Sequence, residues 1–268
     1  MPRIYRTILF LFLSACAGIQ TYKYKPVDFK ILTEIKFDFK PVKAVYSPIE
    51  NTLFVMESRS SRIHIYKDGL KINQIGGLGA EKNKFLKLTD ITVSFDGSLL
   101  ALDSVQKKII KFDPDGKRIT EYGIDFTLEP VLLEVSRDGK IFIYDNKLGE
   151  VFLDRSFTRE RFKFGKFTLK EPQQMILTEN ELLIYDSGSN TTKLFDILGK
   201  LINEQEGLVQ KEKGNVYLLD QFYFEDVISG SKFAVSSKKW NFFQLKSGYC
   251  VLLSNDSGVI GKINYEID

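Results

Sequence analysis

From residue 29 onward, short runs of β-branched and aromatic residues alternate with polar turn clusters, and no convincing run of apolar residues falls at helical spacing. The pattern predicts an all-β chain. Six of the runs can be laid over one another: 52–58 (TLFVMES), 98–104 (SLLALDS), 140–146 (KIFIYDN), 181–187 (ELLIYDS), 215–221 (NVYLLDQ) and 249–255 (YCVLLSN). Their penultimate residues are Glu57, Asp103, Asp145, Asp186, Asp220 and Ser254, so the interval shrinks from 46 to 34 residues along the chain. A period near 40 with several strands per unit marks a propeller.

Each unit fills out to four strands. Glycine turns such as Phe95-Asp96-Gly97-Ser98 and Arg137-Asp138-Gly139-Lys140 precede the aligned run, and Gly supplies the positive φ that such hairpins need. A further strand follows, as at 62–66, 108–112 and 192–196, and a second glycine turn leads to an outer strand such as 117–122. Four alternating strands describe one blade. After 249–253 there is room for only one more strand, at 259–267, whereas residues 28–34 read as an outer strand without a blade. The expected fold is therefore a six-bladed β-propeller with four-stranded blades, closed by the N-terminal strand completing the last blade, which hides edges that would otherwise template aggregation.

The stretch 76–123 resembles the NHL-repeat family of β-propellers, and the whole of 29–268 resembles the six-bladed propeller lipoproteins of bacteria. The likeness rests on a Gly-Gly-Leu-Gly start, Phe85, Phe95-Asp96-Gly97, Ala101-Leu102-Asp103-Ser104, the strand 109–112 and Asp115-Gly116. Only this second unit is close; the third and fourth are recognisable and the last two are shortened. Propellers of similar build include calcium-dependent lactonases and histidine-using lyases, which implies a central-channel metal or a positioned base as the enzymatic alternative.

Ahead of the repeats, Arg3 and Arg6 precede an apolar run, 8–13, far shorter than the roughly 20 residues of a spanning helix. This reads as a signal peptide over residues 1–15. The run stops at Leu13-Ser14-Ala15-Cys16, which resembles the lipobox of bacterial lipoproteins and makes Cys16 the expected site of lipidation, palmitate included. Two or three acyl chains exceed the one-chain case that binds membranes only marginally. Residues 16–27 then form a tether and 28–268 the propeller. Ala17 stands where enterobacterial lipoproteins destined for the inner membrane carry Asp, which points to the outer membrane, on its periplasmic or surface side. With Cys16 alkylated, Cys250 has no partner and is expected as a small buried hydrophobe.

Charge narrows the function. The chain carries 38 Lys and Arg against 35 Asp and Glu, and loss of Arg3 and Arg6 leaves a near-neutral protein, so no electrostatic case for nucleic acid survives. One histidine and two cysteines exclude a Cys/His zinc cluster. The repeated acids Glu57, Asp103, Asp145, Asp186 and Asp220 are read as structural turn caps that accept backbone N–H bonds. His64, between Ile63 and Ile65, is expected to face solvent or an adjacent blade. Lys36, Lys40 and Lys43, and the pair Lys238 and Lys239 beside Trp240, are read as solvated. The innermost strands, near 42–46, 91–95, 131–136, 173–178 and 240–245, are mostly apolar, which suits packing. No catalytic residue, metal or cofactor is assigned. The leading expectation is a membrane-anchored, non-enzymatic scaffold that binds a protein or envelope polymer; the alternative is a metal-dependent hydrolase or lyase acting at the central channel.

Overall fold

An apolar run with no polar alternation must be covered on both faces, and radial stacking of small sheets does this for every run at once. In the computed structural model, which describes residues 23–267 except 156–160, 179, 221–222 and 235–238, six four-stranded antiparallel sheets stand around an axis. Strand β1 (Tyr24–Lys36) comes first. Blade 1 holds β2 (Pro41–Ser47), β3 (Thr52–Glu57), β4 (Arg62–Lys67) and β5 (Leu70–Gly76). Blade 2 holds β6 (Leu88–Val93), β7 (Leu99–Asp103), β8 (Lys108–Phe112) and β9 (Arg118–Gly123). Blade 3 is β10 (Pro130–Val135), β11 (Ile141–Asp145), β12 (Glu150–Asp154) and β13 (Arg161–Phe164). Blade 4 is β14 (Pro172–Leu177), β15 (Glu181–Asp186), β16 (Thr191–Asp196) and β17 (Leu201–Glu206). In blade 5 the strands shorten: β18 (Val209–Glu212), β19 (Asn215–Leu219), β20 (Tyr223–Asp226) and β21 (Lys232–Ala234). Blade 6 takes β22 (Phe242–Lys246), β23 (Tyr249–Leu253) and β24 (Ser257–Ile267), and its outer strand is β1.

That last pairing closes the ring as the sequence predicts. β1 lies antiparallel to β24 from Tyr24 opposite Ile267 to Lys36 opposite Ser257. The strand starts at Tyr24, however, so residues 24–27 belong to the blade and not to the tether expected over 16–27. The cause is local: Pro26 is buried, and the Tyr24 ring meets Tyr265 edge-on at 6.3 Å. Cys16 and the signal segment lie outside the described residues.

Alternation decides which junction each side chain fills. In β7, Leu99 and Ala101 point into the apolar cluster between blades 1 and 2, while Leu100 and Leu102 point into that between blades 2 and 3. Similar clusters join blades 3 and 4, 5 and 6, and 6 and 1. Cys250 is buried in the junction of blades 5 and 6, where burial pushes its thiol pKa up. The turns at Gly97 and Gly139 adopt φ near +80°, the conformation assigned to them from sequence.

Because the strands meander, the ring has two unlike faces. One, the linker face, carries the second-to-third strand loops and the linkers between blades. The other, the turn face, carries the first-to-second and third-to-fourth strand turns.

Candidate functional site

The inner strands β2, β6, β10, β14, β18 and β22 surround the axis, and the structure corrects the reading of them as simply apolar. Each brings at least one polar side chain into the channel: Lys43, Asp90 with Thr92, Glu134, Gln174, Gln210 and Gln244 are all buried. Lys43 thus departs from its expected solvated place beside exposed Lys36 and Lys40; its ammonium lies 2.5 Å from Asp90 Oδ1. The other carboxylate oxygen of Asp90 accepts the Leu133 N–H at 2.7 Å, tying blade 2 to blade 3. Burial raises the Asp90 pKa, against the opposing pull of Lys43.

Glu134 extends the network. Its Oε2 accepts from Thr92 Oγ1 at 3.1 Å and lies 3.2 Å from the Lys246 ammonium. Blades 3 and 6 stand opposite each other, so this ion pair crosses the channel. On the other side of the ring, Gln174 and Gln210 both donate to the Phe243 carbonyl, at 2.7 and 2.6 Å, and the Leu245 N–H donates to Gln210 Oε1. Sequence reasoning missed this plug: the polar residues stand at no common place in the inner strands, from Gln210, second in β18, to Glu134, fifth in β10. Among the described residues, no group of three or more His, Cys, Asp or Glu side chains is placed to hold a metal.

The turn acids separate into two kinds. Asp103 accepts from four backbone N–H groups: Leu86 and Lys87 in the linker entering its blade, and Val105 and Gln106 in the loop after β7. Asp145 takes Leu128, Glu129 and Leu148, and Asp186 takes Lys170, Glu171 and Gly188. All three carboxylates are fully buried. Each therefore clamps an incoming linker to an outgoing loop, which is more than the local turn read from sequence.

Glu57 and Asp220 are placed differently. The longer side chain of Glu57 reaches His64 Nε2 at 3.0 Å in place of a loop amide. Asp220 is exposed, and its own N–H bonds the Tyr223 carbonyl at 2.9 Å in a tight connection. His64 faces neither solvent nor a neighbouring sheet: it is buried flat against Phe39, in the connection between β1 and β2, with ring centroids 3.8 Å apart. Burial lowers its pKa, although Glu57 opposes the shift. Lys239 is exposed beside buried Trp240, and Lys238 lies outside the described residues.

A second candidate opens on the linker face between blades 1 and 2. This cleft of about 350 Å³ has Met56 and Leu88 among its apolar lining, Ser58 and Ser61 on its wall, and Leu78 and Leu86 at its margin. Arg59 and Lys87 add two exposed cations, against the one carboxylate of Glu57, which is held by His64. Arg59 and Ser61 both hold left-handed backbone, at φ 68° and 52°, so the loop is kept in an uncommon conformation.

Fold and channel together define a six-bladed propeller whose axis is filled by paired polar groups. The 6-bladed beta-propeller family matches residues 30–190, and the chain belongs to it. No curated protein matches it in sequence. Among solved structures it is similar to a gluconolactonase from Xanthomonas campestris, at 13% identity over 91% of this chain and 97% of that one, with a TM-score of 0.62. A streptogramin B lyase shares 12% identity over 89% and 98%, with a TM-score of 0.60. A virginiamycin B lyase from Staphylococcus aureus, solved with quinupristin, shares 12% over 88% and 100%, with a TM-score of 0.58. At these identities the likeness is one of fold, which does not carry activity with it.

Proposed function

We propose that this protein is a non-enzymatic binding module, held at a bacterial envelope membrane by lipid on Cys16, that captures a protein or envelope polymer on its linker face. One contrast carries the reading. The polar groups of the channel largely satisfy one another, whereas the cleft between blades 1 and 2 presents Arg59 and Lys87 beside exposed apolar side chains. That combination suits a ligand with an anionic group next to an apolar segment. The test is quantitative capture from solubilised envelope by the wild type and by an Arg59→Glu, Lys87→Glu variant. Loss of a specific captured component in the variant supports the cleft, and equal capture refutes it. Fractionation checks the anchor: Cys16→Ser protein should leave the membrane pellet on a high-salt wash.

The alternative, a hydrolase or lyase acting at the channel, is favoured by one observation. Glu134 Oε1 is buried without a hydrogen-bond partner among the described residues, beside the Lys246 ammonium. Stoichiometric, tightly held calcium or zinc in purified protein would turn the choice toward it.

A further inference from the structure

The chain enters the ring on the turn face. The carbonyl of Tyr24, the first residue of β1, accepts from Asn215 Nδ2 at 2.8 Å, and the Lys213 ammonium sits 4.9 Å from the centre of the Tyr24 ring. Lys213 and Gly214 form the turn between β18 and β19. The start of β1 is thereby fixed beside a first-to-second strand turn, across the disc from the cleft.

Turn tips in water favour Asn, Asp, Ser and Gly. On this face Ile49, Leu70, Phe95, Leu198 and Ile228, from four different blades, stand at or next to the tips, each 56 to 72% exposed. Of the acids on this face, Asp96 pairs with Lys111 at 2.6 Å, Asp138 with Lys140 at 2.5 Å and Glu50 with Lys67 at 3.6 Å, while exposed Asp68, beside Leu70, is bonded by the Asn51 amide and Asp196, beside Leu198, accepts backbone N–H groups. The Arg137 guanidinium lies over the Phe95 ring, 4.3 Å from its centre, which pairs an apolar tip with a cation. Apolar tips, one of them under a cation and with several of the nearby acids paired, suit the boundary between headgroups and acyl chains.

We infer that the turn face rests on the lipid bilayer, with these apolar tips entering its interfacial layer and the linker face turned away. The inference rests on the lipidation of Cys16 in the proposed function. Eight peptide steps from Cys16 to Tyr24 span at most about 28 Å, so the acylated end holds the entry face beside the membrane. Scattered tips bind weakly alone; an anchored disc needs them only to choose its orientation.

Tryptophan probes in brominated lipid test this. Full-length lipidated protein is incorporated into phosphatidylethanolamine and phosphatidylglycerol vesicles, with Phe95→Trp and Ile228→Trp on the turn face and Phe167→Trp on the linker face, where Phe167 is 94% exposed. The resident Trp240 is buried and supplies the baseline. Bromination should at least halve the added emission at the two turn-face positions and leave the linker-face probe unchanged. Ile49→Trp replaces either turn-face variant that does not melt like the wild type. Flotation separates the failures: protein that does not float with the vesicles overturns the anchor and the inference together. Floating protein with unquenched turn-face probes, or with equal quenching at all three, overturns the orientation alone. Turn-face probes that lipid leaves unquenched but native membranes shield from aqueous iodide would overturn it in favour of a protein partner.

Discussion

Blades 2 and 5 follow one four-strand plan and are held by different means. Blade 2 meets blade 1 through a continuous apolar cluster that includes Phe54, Phe85 and Phe112, and Asp103 clamps its linker to its loop through four amides. Blade 5 has shorter strands and an exposed Asp220. Among the described residues, the five apolar clusters fall at the other five junctions. Blades 4 and 5 meet through a smaller apolar set that includes Ile176, Leu183 and Val209, through Thr192, which donates to the Gly207 carbonyl and accepts the Val209 N–H, and through the Lys211–Glu181 ion pair at 2.8 Å. A closed ring tolerates one thinly packed junction because every blade is gripped from two sides. The regular blades supply most of the stability, and the irregular one is where the ring should loosen first.

Three paired substitutions and one pH titration sharpen or break that contrast. Phe54→Ala should have the largest effect, losing about 3 to 5 kcal/mol in chemical denaturation, whereas Leu183→Ala at the junction of blades 4 and 5 should lose about 2 kcal/mol. Equal losses would mean that the two junctions are equally packed. Next, Lys43→Met leaves Asp90 buried and unpaired and should cost about 3 kcal/mol; Gln210→Met, on the amide side of the channel, should cost about 1 to 2 kcal/mol. Third, Asp103→Ala strips acceptors from four amides and should cost about 2 kcal/mol, while Asp220→Ala at the surface should stay within about 0.5 kcal/mol. A reversed order in thermal melting would show that blade 5 has its own acid clamp.

The smallest effect is a pH dependence confined to blade 1. Burial lowers the folded-state pKa of His64, so its contribution is fully present above the ordinary value near 6.5 and is lost as pH falls through the folded value. Wild-type Tm should therefore drop between pH 7 and pH 5, and His64→Gln should flatten that drop. Burial pushes the Glu57 pKa up, and hydrogen bonds from Ser60 and His64 with the neighbouring cations outweigh it and lower it below the ordinary carboxylate value. An unchanged slope in His64→Gln would remove His64 as its source.

The comparison also explains what could be read from residues alone. The second strand of each blade was legible because an apolar run needs no phase: both its faces are buried. Ring closure was legible because 28–34 is an outer strand without a blade. The channel was not, because reading it requires knowing which residues face inward. The inner strands β2, β6, β10 and β14 each carry a register shift near their start, at Pro41/Lys43, Leu88/Asp90, Pro130/Leu132 and Pro172/Gln174. One extra residue reverses the alternation, so Lys43, Asp90 and Gln174 reach the axis without a sequence signature. Asp220 misled for a related reason: its motif is preserved, yet the residue is exposed, and its own N–H bonds the Tyr223 carbonyl.

The pairing of β1 with β24 joins the two ends of the folded chain, and it sets an order of events. Tyr24 cannot meet Ile267 until the chain has been synthesised through Ile267, so the first strand of the ring waits longest for its partner. Contacts of such sequence separation form slowly. Until they form, the edge of β24 stays open to pairing with other chains. Closure of the ring is thus a late step of folding, and the open edge of β24 is exposed for as long as it waits.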